Sequence, residues 1–198
     1  MIESTDALRQ LYSAPKERAV SKQLSRLDQH CSRFIATSPF VVIASGSTGA
    51  YMDASPRGGD PGFVKIPDDR TLLIPDASGN NRLDTLTNII ASGKIGLLFF
   101  IPGVDETLRV NGPARLRDEP EFLQHFSAEK RLPKLVIEVE VAEVYLHCAK
   151  ALMRSRLWDG ESRVDRATLP SMGQMLTDQT GALLETQEQM LARYTAEL

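Results

Sequence analysis

The stretch from Asp53 to Leu116 decides the fold. It contains three segments of unusual composition: D-A-S-P-R-G-G-D-P-G-F-V-K-I (residues 53–66), T-L-L-I-P-D-A-S-G-N-N-R-L-D-T-L (71–86) and E-T-L-R-V-N-G-P-A-R-L (106–116). The first two are rich in Gly, Pro, Ser and Asn, which mark loops, and each presents one arginine, Arg57 or Arg82, beside a short apolar strand. Arginine's planar fork binds phosphate oxygens in pairs, and glycine lets backbone N–H groups approach an anion. The pattern predicts a phosphorylated cofactor held on a scaffold of β-strands.

Short apolar segments bounded by turn residues surround these loops. They predict six strands, at residues 40–45, 63–66, 71–75, 94–101, 107–117 and 135–146. A helix is expected over 83–92, with Asn80 or Asn81 as its N-cap and Gly93 as its stop. This order does not alternate strand and helix, and no G-x-G-x-x-G follows the first strand, so a dinucleotide-binding Rossmann fold is disfavoured. The predicted class is mainly β with flanking helices, built on a six-stranded barrel.

The two ends of the chain have helical patterns. Near the amino terminus, apolar residues recur every three or four positions, which predicts one face of a helix ending before Pro39: Val20, Leu24, Leu27, Cys31 and Phe34. We therefore expect an N-terminal helical extension over residues 1–38, the barrel over 39–158, and a C-terminal helical extension over 159–198.

Composition excludes several classes of function. The chain has 198 residues, a formal net charge of −3 and a pI near 5.7, so it lacks the basic excess of a nucleic-acid-binding protein. No apolar run is long enough to cross a bilayer, and the amino terminus lacks the apolar segment of a secretory signal. The two cysteines, Cys31 and Cys148, have no metal-ligand spacing. We expect a cytoplasmic protein with no metal, membrane or nucleic-acid partner.

Two groups of loop residues are candidates for binding phosphate. Ser55, Arg57 and the following glycines offer a hydroxyl, a fork of donors and approachable amides; the alternative is an exposed hairpin loop that happens to contain an arginine. Asn81 and Arg82 lie at the start of the predicted helix, where free N–H groups and the helix dipole favour anions. The alternative there is ordinary capping with Arg82 in solvent.

The strand at 107–117 carries a third arginine. Thr107, Arg109 and Asn111 share one face because side chains alternate along a strand. An arginine on a covered face needs a partner, and the sequence leaves two open: a carboxylate such as Glu138 or Glu140, or the cofactor.

Further along, Trp158 follows a basic segment, and its indole could cover a flat ring or fill the core. The three histidines show no metal spacing, no G-x-S-x-G occurs, and no residue qualifies as a general base. This pattern favours a redox cofactor, which performs its own chemistry and needs mainly binding and orientation.

Taken together, the segments resemble a known family. Residues 55–64, 72–89, 106–112 and 154–158 are similar to motifs of an uncharacterised subgroup of the pyridoxamine 5′-phosphate oxidase-related, FMN-binding split-barrel family. The resemblance covers about residues 40–158. It implies a six-stranded split barrel, a homodimer, and FMN bound in a cleft between the two subunits.

The resemblance also implies roles for individual residues. Arg57 and Arg82 would hold the FMN phosphate, helped by Ser55 and Asn81. The ribityl chain and the isoalloxazine ring would be lined by Val64, Lys65, Ile74 and Pro75. Thr107 falls where oxidases of the family place a polar side chain near the flavin, with Arg109 close by, and Trp158 would reach the cofactor from the partner subunit.

The chain also departs from the family's best-known members. The R-L-x-P motif that holds the substrate phosphate in pyridoxamine 5′-phosphate oxidases does not follow Trp158, so oxidation of vitamin B6 is not predicted. The function expected is that of an FMN-dependent oxidoreductase of unknown substrate, which exchanges electrons with a small-molecule donor or acceptor. The alternatives are a flavin-binding carrier or sensor without turnover, and a split barrel that binds deazaflavin or haem.

Overall fold

The fold is built on an antiparallel sheet of eight strands. The structure, a computed structural model, describes residues 1–49, 51–77, 79–182 and 185–197. The strands are β1 (Phe40–Ser45), β2 (Asp53–Gly58), β3 (Lys65–Asp68), β4 (Thr71–Pro75), β5 (Lys94–Phe100), β6 (Thr107–Arg117), β7 (Val136–Glu140) and β8 (Glu143–His147). Their order is β2-β1-β5-β6-β7-β4-β3, with β8 paired to β6 off this path. The two terminal strands, β2 and β3, therefore face an opening in the barrel wall.

Strand β6 connects the two halves of the sheet. Residues 107–111 pair with β8, and residues 114–117 pair with β7 along the same edge of β6. Gly112 lies where the partner strand changes, and a Cβ atom at this position would overlap the carbonyl oxygen of Glu140. Glycine is therefore required for β7 to lie against β6 at this bend.

The core fills the inside of the barrel. Alternate residues of β1, β5 and β6 are fully buried, as the period of two along a strand dictates. They are Val41, Ile43, Leu97, Phe99, Leu108 and Val110. A smaller second cluster joins Leu73 of β4 to Phe126 and Val136.

Helices flank the sheet. They are α1 (Thr5–Gln10), α2 (Glu17–Ser21), α3 (Gln29–Thr37), α4 (Asp84–Ser92), α5 (Pro120–Leu123), α6 (Lys150–Ser155), α7 (Met172–Thr180) and α8 (Gln187–Glu197). Short 3₁₀ turns occur at Gln124–Phe126, Gly160–Ser162 and Arg166–Thr168. The chain divides into two compact units, Met1–Ser155 and Arg156–Leu198, of which the first contains the whole sheet.

The predicted amphipathic helix near the amino terminus is interrupted. Helix α2 ends at Ser21, and Leu24 then exchanges two backbone hydrogen bonds with Val144 of β8, each of 2.9 Å. Asp28 caps the amino end of α3 by accepting a hydrogen bond from the backbone N–H of Cys31. The apolar period was read correctly for α3, but a β-bridge replaces the helix around Leu24.

The prediction of a mainly β split barrel with flanking helices is confirmed, with eight strands in place of six. The segment read as a loop at residues 53–58 is an edge strand, β2, and the single strand expected at 135–146 is divided into β7 and β8. Proline is tolerated in β2 because an edge strand leaves one side without ladder hydrogen bonds. The division at residues 141–142 lies beside Gly112 of β6, where the partner of β6 changes from β8 to β7.

Candidate functional site

The candidate site lies at the opening of the barrel wall. Along β2, Asp53, Ser55 and Arg57 stand opposite Ser45, Ile43 and Val41 of β1. Directly opposed residues share one face of a sheet, and those three β1 residues are buried. The three β2 side chains therefore point toward the inside of the barrel, where each is half-buried.

Arg57 lies near the end of β4. Its Nη1 donates to the carbonyl oxygen of Pro56 at 2.9 Å, and no other hydrogen bond from its guanidinium falls on a described residue. Burial raises the pKa of the Asp76 carboxyl, and the charges of Arg57 and Lys134 partly offset that rise. Arg57 is thus within electrostatic range of Asp76, the residue after β4, and most of its fork is free to bind an anion.

A polar network joins β2 to α4. The Asp53 carboxylate accepts hydrogen bonds from the hydroxyls of Ser55 (3.0 Å) and Thr85 (2.7 Å). Asn88, also in α4, donates from its Nδ2 to the Oγ of Ser45 on the neighbouring strand β1 at 3.1 Å. Thr85, Asn88 and Ser45 are buried. This network fixes the first turn of α4 against Ser55.

Sequence reasoning missed the polar residues of this network. Asp53, Thr85 and Asn88 lie within the quoted motifs, but nothing local shows that a strand residue and a helix residue share hydrogen bonds across 32 positions. A signal was present in D-T-L-T-N (84–88), because an amphipathic helix that buries Thr and Asn must give them polar partners.

The loop before α4 differs from the expected cap. Neither Asn80 nor Asn81 is the N-cap; Leu83 occupies that position, with φ 60° and no side-chain capping bond. Asn80 instead folds the loop by accepting a hydrogen bond from the backbone N–H of Arg82 at 3.0 Å. Asn81 also has a positive φ of 59°, so two non-glycine residues are held in the left-handed region of the backbone. Such strain is concentrated at binding sites.

Arg82 projects from this loop into solvent. Its side chain is 72% exposed, and its Nε donates to Asp84 at 2.8 Å. The hydrogen bond to Asp84 raises the pKa of Arg82, and the more distant charge of Asp53 acts in the same direction. The structure therefore brings the two predicted arginine segments together around Asp53 and Ser55. Asn81 lies beside them and is exposed.

The residues of β3 and β4 lie on the other side of the opening. Val64 and Ile74 are buried in the core, so only their backbone groups can reach a ligand. Lys65 Nζ is held by Glu129 at 2.7 Å and lies 5.5 Å from the centre of the Phe126 ring. Pro75 ends β4 and is half-buried.

Thr107 and Arg109 are on a different surface. They stand opposite His147 and Tyr145 on β8, and Arg109 stands opposite Leu98 on β5. Arg109 Nη1 donates to the Tyr145 hydroxyl at 3.2 Å, so its partner is neither Glu138 nor Glu140, the carboxylates considered from the sequence. Glu138 is bound by Arg117 instead.

The arginines of β2 and β6 therefore lie on opposite faces of the sheet. Arg109 is paired with Leu98, Leu98 with Val42, and Val42 with Pro56, so these four side chains point to the same face of the sheet. Arg57 follows Pro56 in β2, so its side chain points to the other face. Three strand spacings, about 14 Å, also separate β2 from β6. One ligand cannot contact both arginines of the same chain by crossing this sheet.

Trp158 belongs to the second compact unit, in the turn that follows α6, and is half-buried. Within the described ranges no group of three or more His, Cys, Asp or Glu side chains is arranged to hold a metal ion. Nor does any helix in the same part of the chain have the length and apolarity needed to span a membrane.

Comparison with known proteins gives one family and several related folds. The model of the family described as pyridoxamine 5′-phosphate oxidase matches residues 27–148. Among solved structures, a variant of HupZ from Group A Streptococcus is 18% identical, with a TM-score of 0.51 over 61% of this chain and 98% of that one. HupZ itself is 17% identical, with a TM-score of 0.50 over 61% and 93%. A putative pyridoxamine 5′-phosphate oxidase from Lactobacillus delbrueckii is 17% identical, with a TM-score of 0.49 over 63% and 98%. No curated protein matches the sequence.

Proposed function

The chain belongs to the pyridoxamine 5′-phosphate oxidase family, and from this premise we propose that it is a cytoplasmic, FMN-dependent oxidoreductase that works as a homodimer. The observation that carries the proposal is that Ser55 and Arg57 share the inner face of β2, and that the helix which follows Arg82 is hydrogen-bonded to the same strand through Thr85 and Asp53. When bound, FMN would take hydride or electrons from a small-molecule donor and pass them to an acceptor.

The donors at the opening suit a phosphate monoester. Arg57 has most of its guanidinium N–H groups free, and Arg82 is held only by an exposed carboxylate, Asp84. A phosphate dianion would compete well for both, because arginine binds phosphate through paired, charge-assisted hydrogen bonds. The backbone at Asn81 adds a neutral donor, and Ser55 would add another by turning its O–H from Asp53 to the phosphate. Lys65, Val64, Ile74 and Pro75 on the facing strands would line the rest of the cofactor.

The placement of Thr107 and Arg109 supports a dimeric site. Both point away from the barrel interior, although Thr107 is buried and only Arg109 is partly exposed. A cofactor held by Arg57 of one chain would therefore meet Arg109 on the β6 face of its partner. The outer face around Arg109 is also suited to association. Phe40 is 38% exposed and stacks edge-to-face on Phe100 at 6.0 Å, and Val42 and Leu98 are half-buried. Such a contiguous apolar surface is typical of an interface between subunits.

The chain's own residues would bind and orient the cofactor. Arg57 and Arg82 would fix the phosphate, the edge strands would position the ring, and the partner's β6 face would exclude water from one side. Trp158 is a candidate for covering the ring.

A binding titration tests the phosphate assignment. We expect purified protein to show flavin absorbance and to release FMN on denaturation. Arg57→Gln and Arg82→Gln should each weaken FMN affinity roughly 10- to 100-fold, since a hydrogen bond to a charged group contributes about 1.5–3 kcal/mol. Arg70→Gln, in the exposed turn between β3 and β4, is the matched control and should bind FMN normally. Equal affinity in all three variants would overturn the assignment.

Subunit complementation tests the dimeric site. Chains carrying Arg57→Gln and chains carrying Arg109→Gln are unfolded together and refolded to form mixed dimers. If each site combines Arg57 of one chain with Arg109 of the other, one of the two sites in a mixed dimer is intact and recovers tight FMN binding. Absence of any recovery, or a monomer in sedimentation velocity, contradicts the shared site.

Reduction of the bound flavin tests turnover. We expect NADH or NADPH to bleach the flavin absorbance and air to restore it. Protein that holds FMN but leaves it oxidised with both donors would instead be a flavin carrier or sensor.

A further inference from the structure

The outer face of β6 and β8 carries a cluster of charged and aromatic side chains that phosphate binding does not use. It consists of Arg109 on β6, Tyr145 and His147 on β8, and Lys22, which follows α2. The register places Arg109 opposite Tyr145 and Thr107 opposite His147. Their strand neighbours Leu108, Val110 and Val144 are fully buried on the core side. The cluster therefore lies on the surface that would face the partner subunit.

Two cations in this cluster share one aromatic ring. The guanidinium carbon of Arg109 lies 5.8 Å from the centre of the Tyr145 ring, and Lys22 Nζ lies 5.5 Å from the same centre. Arg109 also donates to the Tyr145 hydroxyl, and Lys22 donates to the carbonyl oxygen of Leu146. Neither cation forms a salt bridge with any described residue. The cluster therefore holds two cations that are not ion-paired within the described ranges.

The nearest carboxylate on this face is already engaged. Glu143 accepts one hydrogen bond from Gln23 at 2.9 Å and another from Asn111 at 3.0 Å. Each carboxylate oxygen thus accepts from a neutral amide, and Glu143 lies at the opposite end of β8 from His147.

His147 has a buried nitrogen without a partner. Its Nε2 is inaccessible to solvent and forms no hydrogen bond to any residue of the described ranges. Its ring lies 5.5 Å from the Tyr145 ring. Burial lowers the pKa of His147, and the charges of Arg109 and Lys22 lower it further, so the imidazole is neutral at neutral pH. Buried polar atoms without partners are uncommon.

We propose that Arg109 and Tyr145, with the His147 ring beside them, form the recognition site for the carboxylate or other oxyanion of the small molecule that exchanges electrons with the flavin. The inference rests on the proposed function for the identity of that molecule as an electron donor or acceptor. Arg109 supplies the remaining N–H groups of its fork, and Tyr145, which accepts from Arg109, keeps its own O–H to donate. His147 Nε2 is inaccessible to solvent, so the imidazole does not contact the anion through that atom but lies next to it as a titratable group. The site thus offers two side chains with free donors and a net positive charge to one anionic group.

Nuclear magnetic resonance signals of the His147 imidazole can report on anion binding at this site. In full-length protein labelled at histidine nitrogens, only three imidazoles contribute signals, and the His147 signals are those lost in His147→Gln. We expect sodium acetate, compared with potassium chloride at equal ionic strength, to raise the pKa of His147, because an anion stabilises the imidazolium. The signals of His30 and His125 should not respond to acetate. No response of His147 to acetate overturns the proposal.

Substitutions of Arg109 and Tyr145, compared with a control at Arg115, test which side chains bind the anion. Arg109→Gln should weaken the acetate response roughly 10-fold or more, and Tyr145→Phe, which keeps the ring, should weaken it several-fold. Arg115→Gln removes the same charge from the same strand, but its cross-strand neighbour is Glu138 on β7, so acetate binding should be retained. An equal loss in the Arg109 and Arg115 variants would show non-specific charge attraction and contradict the site.

Flavin competition separates the substrate from the cofactor. If FMN displaces acetate from His147 but riboflavin does not, the cluster binds the FMN phosphate, and the substrate assignment is wrong. If the protein binds no flavin yet His147 responds to acetate, the proposed function fails and the oxyanion site stands. If FMN binds and His147 ignores acetate, only the oxyanion site fails.

Discussion

Replacing Gly112 by alanine should break the junction at which β6 exchanges β8 for β7. The new Cβ would overlap the Glu140 carbonyl oxygen and would come within 3.0 Å of the Glu140 carbonyl carbon and 3.1 Å of the Ala142 nitrogen. All three atoms are backbone, so no side chain can rotate away to relieve the contact. The strands must separate instead.

The size of the effect follows from what that separation breaks. Ala142 N donates to the Asn111 carbonyl at 3.0 Å beside the new methyl group, and this bond would be lost. Overpacking costs about 1–3 kcal/mol, and the loss of a hydrogen bond at the exposed residue Ala142 costs about 0.5–1.5 kcal/mol. The free energy of unfolding should therefore fall by roughly 1.5–4.5 kcal/mol. For a chain of this length that is a decrease in Tm on the order of 10 °C.

Thermal and urea unfolding, followed by circular dichroism, would measure the change. Gly160→Ala is the control, because a Cβ there meets nothing within 4 Å and its φ is not positive. We expect the control to keep the parent Tm. If Gly112→Ala unfolds at the same temperature as the control, the bend of β6 does not depend on the missing side chain and our account of the strand exchange is wrong.

Three further predictions concern buried polar and titratable groups. Thr85→Val should destabilise the protein by about 1–2 kcal/mol, because it removes the hydroxyl that donates to Asp53. A double-mutant cycle with Asp53→Ala should give a coupling energy of at least about 0.5 kcal/mol. If the two substitutions are strictly additive, the hydrogen bond contributes nothing to stability. Burial raises the pKa of the Cys31 thiol to about 12, so Cys148→Ser protein should not react with Ellman's reagent until it is unfolded, and a fast native reaction would contradict the buried placement. The lowered pKa of His147 means that the unfolded state binds this proton more readily than the folded state. Stability from the neutral imidazole is therefore present above the unfolded pKa, about 6.5, and is lost as the pH falls below it. In His147→Gln protein the urea midpoint should depend less on pH in that range, and the same pH dependence in both proteins would contradict the lowered pKa of His147.

Local sequence pattern was enough to identify most of the sheet. The strands at residues 40–45, 94–101 and 107–117 follow from short apolar segments bounded by turn residues, because the length and the ends of such a segment can be read locally. The motif residues also led to the arginines at the opening, since glycine, proline and asparagine mark where the backbone turns. The strand at 53–58 was missed because its composition is that of a loop, and only its place at the sheet edge lets a proline lie within it.

Pairing across long sequence separations decided the rest. Arg109 and Tyr145 are 36 residues apart, so their hydrogen bond depends on the β6–β8 register, which the bend at Gly112 sets. The polar network around Asp53 depends in the same way on how α4 packs against β2. The sequence by itself determined that this chain forms a mainly β protein with cationic loops suited to phosphate. Only the tertiary structure decided that Arg57 and Arg109 lie on opposite faces of one sheet, because the face of each side chain is defined by strand order and register, and these are properties of the assembled barrel.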